Sequence, residues 1–197
     1  ITQYYEPKNA ERVQEIKECL INNNNNKLIN KIHLFIEKDY DLDFINSKKI
    51  KLIKTDKQLN FKKAFDYSNT HFNDNHIIIL GNSDIYFDDS LHFIHKIDLY
   101  KTFYALNKYN LDKNNNTTLY SSPFSQDTWI WKPPINIVQN KNNSNDFFDK
   151  NDGIILGVGG CDNRILKIVE DSGYKLRNIC KQIKTIHNHK NNYRLWN

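Results

Sequence analysis

Apolar residues recur along this chain with two spacings, one typical of strands and one typical of helices. Four short runs in the first half are strand-like, namely "ITQYY", "KIHLFI", "KIKLIKT" and "HIIILGNSDIYF". The segments "AERVQEIKECLI" and "NFKKAFDYSNTHF" instead place apolar residues three or four positions apart, as amphipathic helices do. Strands that alternate with helices predict a parallel, doubly wound sheet whose ligands lie beyond the carboxyl ends of its strands.

The second half of the chain has a different pattern. Its strand-like runs are "KTFYALNKY", "TTLYSS" and "DTWIWK". The segment "CDNRILKIVEDSGY" predicts a helix that stops at Gly173, and "KLRNI" and "IKTIHNH" predict edge strands after it. The predicted fold class is therefore α/β, with a Rossmann-type, mostly parallel central sheet flanked by helices and a smaller mixed or antiparallel part.

Composition narrows the class of protein. The 197 residues fit a single domain, and an aromatic content of 13% indicates a folded chain despite a mean hydropathy of -0.74. The net charge of +5 is dispersed among acidic residues, which favours a solvated surface over a nucleic-acid-binding face. Three cysteines without paired spacing indicate reduced thiols in a cytoplasm-like compartment, and no apolar run is long enough to cross a bilayer. Zero methionines and a first residue of Ile predict that the native chain extends beyond this N-terminus.

The stretch "GNSDIYFDDS" places several carboxylates directly after the most strand-like run. Asp84 lies at the expected carboxyl end of that strand, where a hard cation could join it to phosphate oxygens. Asp88, Asp89 and Ser90 have a simpler explanation, because Asp and Ser are preferred caps of a following helix. We therefore expect Asp84 to be functional and the later three residues to be structural.

Three further segments carry candidate chemistry. Asp127 begins an aromatic strand, where it would orient an acceptor hydroxyl, support a metal ion or simply form a turn. Trp129 and Trp131 share one face of that strand, and core packing is favoured over sugar stacking. Asp162 follows a glycine-rich stretch at a predicted helix N-terminus, where it is either a cap or an ionised base that accepts a hydroxyl proton.

Two histidines complete the set of candidates. His187 and His189 lie two residues apart in "IKTIHNH", so both would project from the same side of a strand. Beside a carboxylate such as that of Asp84, the pair becomes a candidate for metal ligation.

The order of these motifs resembles that of nucleotide-sugar-dependent glycosyltransferases of the GT-A type, in particular a group of small bacterial and viral nucleotide-diphospho-sugar transferase domains. The matching stretches are "ITQYY", "NSDIYFDDSL", "SQDTWIWK", "GCDNRI", "SGYKLRN" and "IKTIHNH", in the same order over almost the whole chain. The resemblance implies a nucleotide-binding half over residues 1–90 and an acceptor-binding, catalytic half over residues 100–197.

The resemblance also implies roles for single residues. Asp84 would bind a divalent metal on the donor diphosphate, with Asn82 in place of the first Asp of the family's DxD motif. Asp162 would be the catalytic base of an inverting transfer, and His187, or less readily His189, would complete the metal shell. The donor nucleoside would be contacted by Thr2, Gln3 and Glu37.

The implied reaction moves a sugar from a nucleotide donor, most readily a UDP-sugar, to a hydroxyl of a glycan or other acceptor, with Mn²⁺ or Mg²⁺ as cofactor. The implied compartment is the cytoplasm, of the host if the source is viral. Two alternatives remain open. A sugar nucleotidyltransferase would need a Gly- and Lys/Arg-rich phosphate loop after the first strand, where this chain has "TQYYEPKNAER". A binding domain without turnover would explain Asn82 and Cys161, which stand where the family is usually acidic.

Overall fold

The protein is described by a computed structural model that covers residues 1–122, 125–138 and 153–190. Over these ranges the chain forms two β-sheets, three α-helices and one 3-10 helix. None of the helices in these ranges combines the length and the apolar character needed to traverse a bilayer.

The first sheet contains three parallel strands in the order β1 (Thr2–Tyr4), β2 (Ile32–Ile36) and β3 (Ile50–Lys54). Helix α1 (Ala10–Asn25) connects β1 to β2, and helix α2 (Phe61–His71) follows β3. Every residue of β2 is buried, because Leu34 and Ile36 pack with the α1 side and Phe35 packs with the α2 side. A strand covered on both faces reads as a continuous apolar run, which explains "KIHLFI".

The second sheet is larger and mixed. Its strands are, in chain order, β4 (Ile78–Gly81), β5 (Ile85–Phe87), β6 (Thr102–Leu111), β7 (Thr117–Leu119), β8 (Gln126–Trp131), β9 (Lys175–Arg177) and β10 (Thr185–His187). The spatial order is β4-β8-β6-β10-β5, and β7 and β9 also pair with β6. Four of the pairs, β4–β8, β6–β8, β6–β7 and β5–β10, are antiparallel, whereas β6–β9 and β6–β10 are parallel.

The predicted GT-A-like, Rossmann-type central sheet is therefore wrong. All strand pairs of the first, three-stranded sheet are parallel, whereas most pairs of the larger sheet are antiparallel. The run "HIIILGNSDIYF", predicted as one central strand, is divided at Asn82–Asp84 into β4 and β5, because Ile85 N donates to Asn82 O (3.2 Å) in a tight turn. Strand β10 is not at an edge as predicted, since it lies between β6 and β5.

A shared core joins the two sheets. It contains Phe35 of β2, Phe61 of α2, Leu80 of β4, and both Trp129 and Trp131 of β8, and all five are at most 1% exposed. Helix α3 (Cys161–Asp171) contributes apolar residues to the same cluster. The prediction that the two tryptophans pack in the core is confirmed.

Side chains of Asn and Asp cap several helices, among them α1 and the 3-10 helix. Asn9 Oδ1 accepts a hydrogen bond from Arg12 N (2.9 Å) at the start of α1. Asp88 Oδ1 accepts one from Ser90 N (2.9 Å) at the start of the 3-10 helix Asp89–Lys96, which confirms the predicted capping role of Asp88.

Candidate metal centre and acidic pair

The loop between β4 and β5 presents its side chains to two separate groups of residues. Ser83 Oγ donates to Gln3 O (2.6 Å), and Asn82 N donates to Asp127 O (3.1 Å), so the loop is tied to β1 and to β8. Asn82 Nδ2 donates to Asp127 Oδ1 (2.6 Å), whereas Asp84 faces His187. The loop Asn82–Asp84 thus connects two groups of residues, one that contains Asp84 and His187 and one that contains Asp127.

The first group consists of Asp84, His187 and His189. One ligand atom from each lies within 4.8 Å of the other two, and His187 Nε2 is 3.0 Å from Asp84 Oδ2. Strand pairing explains the convergence, because β10 aligns His187 with Ile85, the neighbour of Asp84. Asn188 N then donates to the main-chain oxygen of Asp84 (2.9 Å). The structure therefore brings together the three residues that the sequence suggested as metal ligands.

The donors in this group fit a divalent transition ion. One carboxylate and two imidazoles suit Mn²⁺ better than Mg²⁺, which prefers an all-oxygen shell. His187 Nδ1 lies 3.3 Å from Asn110 Oδ1, so an outer partner can fix the ring while Nε2 faces the centre of the group. Asp84, His187 and His189 could therefore hold Mn²⁺.

Arg12 is a member of this site that the sequence interpretation missed. Its Nη2 contacts Asp84 Oδ2, and its Nη1 donates to Glu15 Oε2 (2.7 Å) and to Asn188 O (2.9 Å). Burial alone would raise the pKa of Asp84, but His187 and Arg12 outweigh it and hold that pKa well below its usual range. Asp84 is consequently an anion whose Oδ2 already contacts Arg12 and His187.

A signal for Arg12 was present in the sequence. Helix α1 buries Ile16, Cys19 and Leu20, which lie four, seven and eight residues after Arg12. That spacing places Arg12 on the buried face of the helix, where a charged residue requires a partner.

The second group is the acidic pair formed by Asp127 and Asp162. Asp127 lies at a β-bulge, since β6 pairs Leu106 with Thr128 and then Asn107 with Gln126. The Asp127 carboxylate receives the hydrogen bond from Asn82 and forms an ion pair with Lys108 Nζ (2.9 Å), and the Lys108 side chain is 16% exposed. Bulges commonly redirect side chains beside functional sites.

Asp162 lies in the first turn of α3, as predicted. Its Oδ2 accepts from Gln126 N (3.2 Å), and its Oδ1 accepts from Cys161 Sγ (3.1 Å). Burial is the largest influence and raises the pKa of Asp162, and the charge of Asp127 raises it further. The hydrogen bonds from Cys161 and Gln126 lower it, which leaves the pKa at about 6.

The glycine-rich stretch before α3 approaches the same loop. Gly157 has a φ of +76°, and a Cβ added there would lie 3.8 Å from Asn82 Oδ1. The adjacent main chain is fixed by Leu156 N, which donates to Leu59 O (2.9 Å). A left-handed glycine therefore directs this segment across the loop that contains Asn82.

The residues predicted to contact a nucleoside have mixed surroundings. Gln3 uses its side-chain amide within the protein, because Nε2 donates to Glu37 Oε1 (2.5 Å) and Oε1 accepts from Leu59 N (2.8 Å). Glu37 is exposed, and Thr2 Oγ1 is buried without a hydrogen-bond partner in the described part of the chain. Their contact with a nucleoside remains a prediction.

A mostly apolar cavity of about 520 Å³ lies between the first sheet and the β4–β5 region. Of the predicted site residues, Thr2, Gln3 and Asn82 line it, whereas Asp84, His187 and the acidic pair do not. This cavity and the candidate metal centre are therefore in different places.

Comparisons with known proteins give little further information. A scan against models of protein families finds no match, and no curated protein matches the chain. Among solved structures, the crystal structure of HddC from Yersinia pseudotuberculosis is similar over 81% of this chain and 83% of that chain. Its sequence identity is 16% and its TM-score is 0.35, a similarity that supports no conclusion about the fold or function of this chain.

Proposed function

We propose that this protein is a metal-assisted glycosyltransferase, which moves a sugar from a nucleotide-diphospho-sugar to a hydroxyl of a glycan or other acceptor. The observation that carries the proposal is that one loop, Asn82–Asp84, contacts both a candidate metal site and an acidic pair. A transfer of this kind needs both functions, a cation for the leaving diphosphate and a carboxylate for the acceptor proton. The sequence motifs that resemble glycosyltransferases contain the same residues.

Asp84, His187 and His189 would hold the cation. A divalent metal bound there would neutralise the negative charge that develops on the departing diphosphate. Their partly buried side chains already place one ligand atom each within 4.8 Å of the others, which limits the rearrangement that binding requires.

Asp162 would be the proton acceptor. The acceptor oxygen forms a bond to the anomeric carbon, the bond from that carbon to the diphosphate oxygen breaks, and its electron pair leaves with the diphosphate. Asp162 takes the hydroxyl proton in the same step, and attack from the opposite face inverts the configuration. A pKa of about 6 suits this role, because the carboxylate is more basic than an ordinary Asp and still mostly ionised at neutral pH.

Asp127 would position the reacting hydroxyl. Its carboxylate is already fixed by Asn82 and Lys108, so it is less suited than Asp162 to accept a proton. Its negative charge also raises the basicity of Asp162.

The test combines donor binding with donor turnover. A panel of UDP-, GDP- and TDP-sugars is screened by thermal shift with and without Mn²⁺, and hydrolysis or transfer of each stabilising donor is then measured. We expect Mn²⁺-dependent turnover that is lost in Asp84→Ala and retained in Asp89→Ala, an exposed acid five residues away. Turnover by Asp84→Ala at the wild-type rate would refute the metal assignment.

The proton acceptor is tested separately. Asp162→Asn is expected to bind the donor normally and to lose transfer by about 10²–10⁴-fold, the usual contribution of a general base. Glu170→Gln, an exposed change on the same helix, serves as the control. Normal transfer by Asp162→Asn would exclude Asp162, and Asp127 would then be tested next.

One observation favours a second candidate, a domain that binds sugar nucleotides without turnover. Arg12 already contacts the Asp84 oxygen that faces His187, and Asn82 and Cys161 stand where acidic residues would strengthen metal binding and catalysis. Binding of a sugar nucleotide without hydrolysis or transfer to any acceptor would support this candidate over the glycosyltransferase.

A further inference from the structure

The polar side chains of α1 hold the segment that contains both candidate imidazole ligands. Asn188, between the two histidines, donates from Nδ2 to Glu18 Oε2 (3.0 Å) and to Glu15 O (3.3 Å). Lys190 N donates to Glu15 Oε1 (2.7 Å), and Asn188 is 1% exposed. Helix α1 therefore fixes the segment on both sides of His189, although more than 160 residues separate the two in sequence.

Arg12 connects this segment to the third candidate ligand. Its guanidinium contacts the Asp84 carboxylate through Nη2 and the main-chain oxygen of Asn188 through Nη1. The side chain is 9% exposed, and the planar group presents its donors in fixed directions. One rigid side chain thus bridges the two pieces of chain whose relative position determines the geometry of the metal site.

The charge of Arg12 is largely balanced before any metal is considered. Glu15 Oε2 lies 2.7 Å from Nη1, and Glu15 is 6% exposed, so the two form a buried pair with no net charge. A balanced pair repels a divalent cation far less than an isolated guanidinium would. Because the guanidinium also contacts the Asp84 carboxylate directly, variants that keep the net charge of the Arg12–Glu15 pair are needed to isolate the geometric effect of Arg12.

We propose that Arg12 is a positioning residue of the candidate metal centre, where it sets the separation between the Asp84 carboxylate and the imidazoles of His187 and His189. This inference rests on the metal centre of the proposed function and extends it to a helix that contributes no ligand. Outer residues that orient metal ligands typically change metal affinity by about 10- to 100-fold when they are replaced.

The experiment measures Mn²⁺ affinity by titration with electron paramagnetic resonance detection, without any sugar nucleotide. The main variant is Arg12→Gln with Glu15→Gln, which removes the bridge and leaves the net charge of the pair unchanged. Arg12→Lys keeps the positive charge but replaces the planar fork by a single ammonium. The control is Lys17→Gln, which removes a charge from the same helix at a side chain that is 26% exposed.

We expect the double variant to bind Mn²⁺ about 10- to 100-fold more weakly than the wild type, Arg12→Lys to be intermediate, and Lys17→Gln to lie within about twofold of the wild type. Thermal denaturation identifies any variant that does not fold. Arg12→Lys keeps both charge and most of the volume, so it decides the question alone if the double variant is unfolded.

Unchanged or tighter Mn²⁺ binding by the double variant, or by Arg12→Lys if only that variant folds, would overturn the inference. Wild-type protein that binds no Mn²⁺ would overturn it together with the metal-assisted function. Wild-type binding with the expected losses but no transfer would instead refute the glycosyltransferase and support the positioning role.

Discussion

At the scale of single residues, Asp84 and Asp162 have opposite electrostatic surroundings. Burial opposes ionisation of Asp84, but His187 and the positive charge of Arg12 hold its pKa well below the usual range. Asp162 is partly buried near the negative charge of Asp127, and its pKa is raised to about 6. Environments that separate the pKa values of two acids are typical of sites where one acid stays charged and the other transfers a proton.

The raised pKa of Asp162 predicts how transfer depends on pH. Because the base must be deprotonated, kcat/KM should be constant above about pH 7 and fall about tenfold per pH unit well below the pKa of about 6. The profile is measured between about pH 4.5 and 8, over a range in which circular dichroism shows the protein to be folded. A flat profile across the pKa would contradict a base role for Asp162.

The same shift predicts a gain in stability when the charge is removed. The folded-state pKa of about 6 exceeds the ordinary value of 3.8, so ionised Asp162 destabilises the fold above pH 6, and this cost disappears as pH falls through 6 towards 4. About two pKa units correspond to about 3 kcal/mol. Asp162→Asn should therefore be more stable than the wild type by up to about 3 kcal/mol near pH 8.

Urea denaturation near pH 8, 6 and 4 measures this difference. It should shrink as pH decreases and be small near pH 4, where Asp162 is protonated in the folded wild type and about half protonated in the unfolded wild type, because the ordinary pKa is 3.8. Glu170→Gln removes an exposed charge from the same helix and serves as the control. A variant that is less stable than the wild type at every pH would show that Asn does not replace the hydrogen bonds of Asp162.

At the scale of elements, helix α1 contacts the segments that carry the candidate metal ligands without supplying a ligand itself. Its N-cap, Asn9, accepts a hydrogen bond from the main chain of Arg12. Asn9→Ala should lower the free energy of unfolding by about 1 kcal/mol, whereas Asn9→Gly should lower it by only a few tenths. Urea denaturation compares the two, and equal losses would indicate that the Asn9 side chain contributes beyond its cap.

Local patterns were enough to predict most elements but not how they pair. The apolar spacing of α2 and the run of β2 depend on near neighbours in sequence, and both were predicted close to their observed positions. Pairing depends on contacts between distant segments. Strand β10 has only three residues, Thr185–His187, so nothing local shows that it inserts between β5 and β6.

In the candidate site, too, the residue types could be predicted from sequence, but the contacts between distant residues could not. Asp84, His187 and His189 stood out because carboxylates and imidazoles are metal ligands, and the structure brings them together. Arg12 was missed because its partners, Asp84 and Asn188, lie 72 and 176 residues away. The bulge at Asp127 arises from the register between β6 and β8, which a single strand does not encode.

At the scale of the whole molecule, both sheets share one apolar core. Phe35 of the first sheet packs in the same cluster as Leu80 and Trp129 of the second. Backbone hydrogen bonds also join Ile1 to the strand β4, from Gly81 N to Ile1 O (3.2 Å). Neither sheet can therefore lose its packing without exposing the core of the other.

This shared core predicts a single unfolding transition. In a Trp196→Phe variant, fluorescence reports only on Trp129 and Trp131, both fully buried between the sheets. Its transition in urea should coincide with the loss of helix followed by far-ultraviolet circular dichroism. Two separate midpoints would show that the two sheets unfold independently.

The central position of β10 has a consequence for how the protein is made. Every other described strand is synthesised before β10, yet β5 and the second half of β6 lack their shared partner until residues 185–187 leave the ribosome. The two histidines beside Asp84 arrive with the same segment. Closure of the larger sheet and completion of the candidate metal centre thus both follow the synthesis of every other described strand, and a chain that stops before residue 185 obtains neither.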